Sequence, residues 1–258
     1  MPLVYSYNSN KGRKLKNEDA VSVVKNKQGE ALAIICDGVG SHSNAAYSSN
    51  YIVSTLEKDW QDLTFANFNN MKNWLYDKIE KLNKELFEKS KSKNKKMGTT
   101  IVAVATFDDQ VVVYNIGDSR AYGITSDNEM SVVTIEDFNG SGRLVEDSFV
   151  GALIHAGVIT EEEAKTHPEK HVLTQALATR ERIDLHTFID DLSKYDYFLI
   201  CSDGLTNMLD EEEIKEIIRQ EELSIAVEKL IILSVERGGI DNISVAILKN
   251  LRGENSDK

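Results

Sequence analysis

Apolar residues in this chain fall into two kinds of run. Short ones, Ala31 to Cys36, Ile101 to Thr106, Val111 to Ile116, Tyr197 to Cys201 and Ile243 to Leu248, with at most one polar residue each, are the length of single strands. Runs this long without polar alternation predict strands buried on both faces. Elsewhere the spacing is three and four. Met71, Leu75, Ile79, Leu82 and Leu86 predict a helix over 68–90, and Tyr47, Tyr51, Ile52, Thr55 and Leu56 one over 44–60. Further strands are predicted over 3–9, 20–24, 121–125, 131–135 and 183–189, and further helices from Asp210 through Arg219 and over 224–237. Phe107-Asp108-Asp109-Gln110 predicts a hairpin turn.

Residues 136–182 break this rhythm. They contain Gly140-Ser141-Gly142, a short helical stretch over 148–156, and Thr160-Glu161-Glu162-Glu163, a capping box that starts another helix. A helical insert between sheet strands is expected to border a site. No Pro-rich or Gly/Ser-rich linker divides the chain. The expected organisation is a single domain over 1–250, with 136–182 as a flap-like insert and 251–258 as a polar tail.

The net charge of −12 argues against a nucleic-acid surface. No apolar run approaches 18 residues and no signal-peptide core opens the chain, so a cytoplasmic protein without a membrane span is expected. Cys36 and Cys201 lie at strand ends, a pattern that does not suggest a disulfide framework.

The chemistry gathers where strands end. Asp19, Asp37, Asp118, Asp203 and Asp241 all flank predicted strands, three of them beside glycine. Converging carboxylates repel one another unless a cation intervenes. All-oxygen ligands, with no Cys/His cluster at zinc spacing, suit Mg²⁺ or Mn²⁺. Two such ions sharing a water would lower its pKa and aim it at phosphorus. Gly12-Arg13-Lys14-Leu15-Lys16-Asn17-Glu18-Asp19 adds a cationic loop able to hold an anion beside the acids. His42, next to the Asp37 motif, is a candidate proton donor.

Asn17-Glu18-Asp19, Asp37-Gly38-Val39-Gly40-Ser41-His42, Gly98-Thr99-Thr100, Gly117-Asp118-Ser119-Arg120, Cys201-Ser202-Asp203-Gly204 and Asp241-Asn242 follow one another as in the metal-dependent Ser/Thr protein phosphatases of type 2C. The chain resembles the compact bacterial members over roughly residues 3–249. The resemblance implies an α+β fold, a four-layer α-β-β-α sandwich of two antiparallel sheets flanked by helices. It also implies hydrolysis of phosphoserine and phosphothreonine in proteins by a monomer that counteracts a Ser/Thr kinase.

On the same resemblance, Asp37 bridges two ions and the Gly38 carbonyl binds one. Asp203 and Asp241 complete the first site, Glu18 and Asp19 serve the second, and Asp118 with Asp203 holds a weaker third. Asn242 orients the ligands, and the catalytic set is Asp37, Asp203, Asp241 and His42. A phosphate clamp falls on Arg13 or Lys14. Arg13 is favoured because only its planar fork makes a bidentate contact. The chain departs from the family pattern at Ser41, where a glycine is usual, and at Ala176-Leu177-Ala178, where Ala-Leu-Gly is.

Two other classes fail on spacing. A cysteine-nucleophile phosphatase needs Arg six residues after Cys, and Cys36 and Cys201 are followed there by His42 and Asn207. A P-loop enzyme needs Gly-Lys-Ser/Thr, and Gly-Lys does not occur. The remaining rival, a catalytically silent phosphatase-like binding module, should have lost a bridging acid, yet Asp37, Asp203 and Asp241 are all present.

Overall fold

The structure is a computed structural model that describes residues 3–40, 43–93, 96–134, 136–137, 144–145 and 147–251. In chain order come β1 (Leu3–Asn10), β2 (Asp19–Lys25), β3 (Ala31–Gly40), α1 (Ser43–Gln61), α2 (Phe68–Lys93), β4 (Met97–Thr99), β5 (Ile101–Phe107), β6 (Gln110–Ile116), β7 (Arg120–Thr125) and β8 (Met130–Val132). Then follow β9 (Glu136–Asp137), β10 (Leu144–Val145), α3 (Phe149–His155), α4 (Glu161–Thr166), β11 (His186–Asp191), β12 (Tyr195–Cys201), α5 (Asp203–Thr206), α6 (Glu211–Gln220), α7 (Leu223–Glu236) and β13 (Ile243–Asn250).

Two antiparallel sheets stack face to face. One runs β1-β13-β12-β7-β8; the other runs β11-β6-β5-β3-β2, with β4 added to β3. Strand β3 shows why its sequence does not alternate. Ala31, Ala33 and Ile35 enter the core between the sheets, with Val102, Val104, Phe198 and Ala246. Leu32, Ile34 and Cys36 face the opposite way, against Ile52, Leu56, Met71, Leu75 and Ile79 of α1 and α2. On the other sheet, Leu199, Cys201, Val245 and Ile247 pack against Ile214, Ile218, Val227 and Leu230 of α6 and α7. Three apolar layers therefore separate four layers of structure, the α-β-β-α sandwich that was expected. Both cysteines are buried thiols.

Several boundaries differ from expectation for physical reasons. Strand β3 does not stop at Asp37 but runs to Gly40, because Gly38, Val39 and Gly40 pair with Thr99, Gly98 and Met97 of β4. Gly38 serves close approach rather than a turn: a Cβ there would lie 2.5 Å from the Ala45 backbone and 2.7 Å from the Glu18 carbonyl. Gly40, the last residue of the strand, takes φ +122.

Strand β11 begins at His186 rather than residue 183. Asp184 is held instead by the Gln175 side chain, whose Oε1 accepts from the Asp184 N–H at 2.7 Å while its Nε2 donates to the Asp184 carbonyl at 2.8 Å. Asp210 caps α6, accepting from the Glu213 N–H at 2.9 Å. Glu213 does not complete a capping box; its carboxylate pairs with Arg237 at 2.5 Å. The box at Thr160 and Glu163 does form. Ile135, most of the segment 138–146 and the tail from residue 252 lie outside the described residues.

The hairpin between β5 and β6 turns on Asp108 and Asp109, with Phe107 paired to Gln110. Asp108 has φ +48 and is exposed. A side chain in the left-handed region costs about 1 kcal/mol, which glycine avoids. Asp108→Gly is expected to raise unfolding stability by about 0.5–1 kcal/mol, read from urea denaturation midpoints at unchanged m-value. Ala178 also takes a positive φ, +66, where the family pattern has glycine. Its methyl is buried in the helix-side core, and that burial offsets the strain.

Candidate active site

The predicted acids meet at one end of the two sheets. Asp19 and Asp37 are direct cross-strand partners on β2 and β3. Asp118 sits in the turn from β6 to β7, Asp203 is the first residue of the short helix after β12, and Asp241 lies in the loop before β13. Burial raises the Asp37 carboxyl well above the usual carboxylate range, and the charges of Asp19, Asp203, Asp118 and Asp241 push it further the same way. The other four acids are thus within electrostatic reach of Asp37.

The backbone at Asp37 is held from the Gly98-Thr99-Thr100 motif. The Asp37 N–H donates to Thr100 Oγ1 at 2.9 Å, and its carbonyl accepts from the Thr100 N–H and the Thr99 hydroxyl, each at 2.8 Å. Thr100 Oγ1 also lies 2.9 Å from Ser119 Oγ, tying the Asp118 turn to the same point. Gly117 takes φ +107 there, and a Cβ on it would strike Thr100 Cγ2 at 2.6 Å.

Asp19 is 5% exposed. One carboxylate oxygen, Oδ2, accepts from Ser202 Oγ at 2.7 Å and from Ser244 Oγ at 2.8 Å. Ser244 Oγ in turn lies 2.8 Å from Ser9 Oγ, which accepts from Asn17 Nδ2 at 2.7 Å. Burial raises the Asp19 pKa to about 7, against the two serine hydrogen bonds and with added repulsion from Asp203 and Asp241. Single hydroxyls at the ends of strands left no spacing pattern, so Ser9, Ser202 and Ser244 were not predicted. Ser244 interrupts an apolar run and Ser202 precedes a motif acid, but Ser9, in a mixed strand, carries no such signal.

Asn242 organises the cationic loop. Its Oδ1 accepts from the Glu18 N–H at 2.7 Å, and its Nδ2 donates to the Lys11 and Lys16 carbonyls at 2.9 and 3.0 Å. The loop is also pinned at Arg13, whose N–H donates to the Gly239 carbonyl at 2.8 Å. Within it the two candidate clamps diverge. Lys14 Nζ lies 2.9 Å from Asp241 Oδ1. That hydrogen bond raises the lysine pKa, against desolvation and with help from Asp37 and Glu18. The Arg13 guanidinium is exposed and makes no hydrogen bond or ion pair among the described residues. The loop is not extended but turns at Gly12, where φ is +56, and the Lys14 N–H donates back to the Lys11 carbonyl at 3.2 Å; it is Lys14 that reaches the acids. His42 and Ser41 lie outside the described residues. His171 places Nδ1 3.6 Å from Asp203 Oδ2.

Whether this set suits divalent cations can be judged from its polar atoms. Asp19 Oδ1 and Asp203 Oδ1 are buried without a hydrogen-bond partner. Buried carboxylate oxygens are costly in that condition, and a cation would satisfy them. The donors are all hard oxygens. Among the described residues no three His, Cys, Asp or Glu side chains are gathered closely enough to enclose an ion as they stand. Two of the acids have protein partners instead: Asp241 Oδ1 lies 2.9 Å from Lys14 Nζ, and Asp203 Oδ2 accepts from Asn207 Nδ2 at 3.0 Å. The composition of the site fits a divalent ion; its side chains would have to draw inward to hold one.

This fold is that of a protein phosphatase. The family model for protein phosphatase 2C matches residues 8–229. The chain is 34% identical over 247 residues to the serine/threonine phosphatase stp of Listeria innocua, covering 93% of each. It is 32% identical over 240 residues to a putative protein phosphatase 2C-type of Streptococcus pyogenes, covering 92% of this chain and 93% of that one. Among solved structures it resembles the serine/threonine phosphatase Stp1 of Staphylococcus aureus, with a TM-score of 0.87 at 30% identity over 97% of this chain and 96% of that one. The catalytic domain of PstP, solved with two manganese ions, superposes with a TM-score of 0.80 at 25% identity, covering 96% of this chain and 97% of that one. The chain belongs to the protein phosphatase 2C family, and by class it is a serine/threonine phosphatase, as the order of its motifs implied.

Proposed function

We propose that this chain hydrolyses phosphoserine and phosphothreonine monoesters in proteins, using two Mn²⁺ or Mg²⁺ ions and a weaker third. It does so as a cytoplasmic monomer that opposes a Ser/Thr kinase of the same cell. The reading takes residues 1–250 as one phosphatase domain, with 136–182 as its flap. The observation that carries it is the convergence of five carboxylates, two of which bear buried oxygens without a partner. Among the described residues no helix is long and apolar enough to cross a membrane.

In this reading Asp37, the Gly38 carbonyl, Asp203 and Asp241 hold the core ions with Glu18 and Asp19, while Asp118 and Asp203 hold the weaker one. When bound, the ions supply countercharge to the acids and lower the pKa of a water aimed at phosphorus. The chain's own residues then have separate tasks. Thr99 and Thr100 fix the Asp37 main chain. Ser202 and Ser244 fix one oxygen of Asp19 and leave the other free to bind. Asn242 sets the loop that carries Glu18, Lys14 and Arg13.

A lysine that pairs with an acid of the site is placed to pair with a substrate phosphate once those acids have other countercharge. Lys14 therefore takes precedence over Arg13 as the clamp, reversing the order favoured from donor geometry. His42 remains the candidate proton donor.

With Mn²⁺, the purified chain should dephosphorylate phosphoserine and phosphothreonine peptides, and excess chelator should abolish the activity. On the same peptides Lys14→Ala should raise KM roughly tenfold, about 1.4 kcal/mol, and Arg13→Ala should change it much less. No turnover with Mn²⁺ would refute the function, and full turnover in chelator would refute its metal dependence; the opposite order of the two variants would return the clamp to Arg13.

A further inference from the structure

The turn that presents Asp118 is held at its framework end by two contacts from strand residues. Asn115 Nδ2 donates to the Ser119 carbonyl at 3.0 Å, and Ser119 Oγ lies 2.9 Å from Thr100 Oγ1. A third contact comes from the insert. The Gly117 N–H, immediately before Asp118, donates to Asp147 Oδ2 at 3.0 Å. The antiparallel ladder of β6 ends at Ile116, so this N–H has no strand partner in that ladder.

Asp147 is itself held from several sides. Its Oδ1 lies 3.1 Å from His186 Nε2, and both side chains are largely buried, 13% and 14% exposed. Its Oδ2 also accepts from Gln175 Nε2 at 3.3 Å. Its main-chain carbonyl accepts from the Thr174 N–H at 2.8 Å, anchoring it within the insert. A carboxylate with this many partners is a defined acceptor, and a charge-assisted hydrogen bond onto a backbone N–H holds that peptide more firmly than a neutral one. Gly117 is thus gripped between Asp147 on one side and the Thr100 side chain on the other.

We propose that Asp147 is a positioning residue for Asp118. Through the Gly117 N–H it sets where the Asp118 carboxylate stands, and His186 and Gln175 hold Asp147 in that role. The insert is then more than a surface beside the site: one of its residues fixes part of the acid cluster. The inference rests on the reading of Asp118 as an acid of the weaker metal site.

The test uses the full chain with Mn²⁺ and a small aryl phosphate, which makes too few contacts to report on substrate docking at the insert. Asp147→Ala is expected to lower kcat roughly tenfold with KM changed less than about twofold, and to weaken the lower-affinity Mn²⁺ event in calorimetry while the tighter events survive. Asp118→Ala should do the same, and the double variant should be no slower than Asp118→Ala alone, because residues acting through one another are non-additive. Asp147→Asn keeps an acceptor oxygen for the Gly117 N–H and should recover most of the rate, which separates positioning from folding if the alanine variant is poorly folded. A wild-type rate and Mn²⁺ isotherm for Asp147→Ala, losses that multiply in the double variant, or no recovery in a folded Asp147→Asn would each overturn the inference. If Asp118→Ala itself is silent in both readouts, the reading of Asp118 fails, and the inference with it.

Discussion

Asp37→Asn is expected to lower phosphopeptide turnover by at least a thousandfold, about 4 kcal/mol, while leaving the metal-free fold more stable than the wild type. The two effects have one cause. Asp37 stands directly across from Asp19 and feels Asp203, Asp118 and Asp241 as well, so in the absence of cations its charge is strongly opposed. An asparagine has nearly the same volume, and the contacts that fix this residue all engage its main chain. The substitution thus removes charge without releasing the strand. In chelator, the variant should unfold at a higher denaturant midpoint, by on the order of 1 kcal/mol. With Mn²⁺ the wild type should gain stability by mass action, and the variant should gain much less. A variant that keeps more than a tenth of the wild-type rate, or one that is less stable in chelator, would show that Asp37 is not the shared centre of the cluster.

What the sequence revealed and what it concealed divide along physical lines. The strands of the inner layers were visible because both faces of β3, β5 and β13 are buried, which leaves largely apolar runs. The stripe of α2 was visible because Met71, Leu75, Ile79, Leu82 and Leu86 all face one core. The acids were visible because a carboxylate at the end of such a run has no structural reason to be there. Their supports were not. Ser9, Ser202 and Ser244 act through contacts more than 180 residues apart in sequence for the Asp19 pairs. Asp147 and His186 come from segments 39 residues apart and share no motif. The choice between Arg13 and Lys14 turned on which side of a loop each neighbour faces, and that depends on Asn242 and Gly239 pinning the loop from the far end of the chain.

The same cluster sets an unusual pH dependence. Most folded proteins lose stability on acidification, because paired carboxylates must be protonated. Here, in chelator, stability should instead fall as pH rises from about 5 to 8. Burial raises Asp19 to about 7 and Asp37 well above its ordinary value, whereas both titrate near 3.8 in the unfolded chain. Between those limits the folded chain holds protons that the unfolded chain has released. Each step up in pH therefore favours unfolding, and the contribution, whole below about pH 4, is lost as pH passes the folded values. For Asp19 alone the span corresponds to on the order of 4 kcal/mol. Manganese should invert the trend. Its ligands must be deprotonated, so the stabilisation it confers should grow from pH 5 to pH 8 as the acids yield their protons to solvent. Urea midpoints across this range, with chelator and with saturating Mn²⁺, should therefore diverge as pH rises. Parallel curves would mean that these acids are already ionised in the metal-free fold, and that Lys14 and the surrounding dipoles suffice to hold their charge.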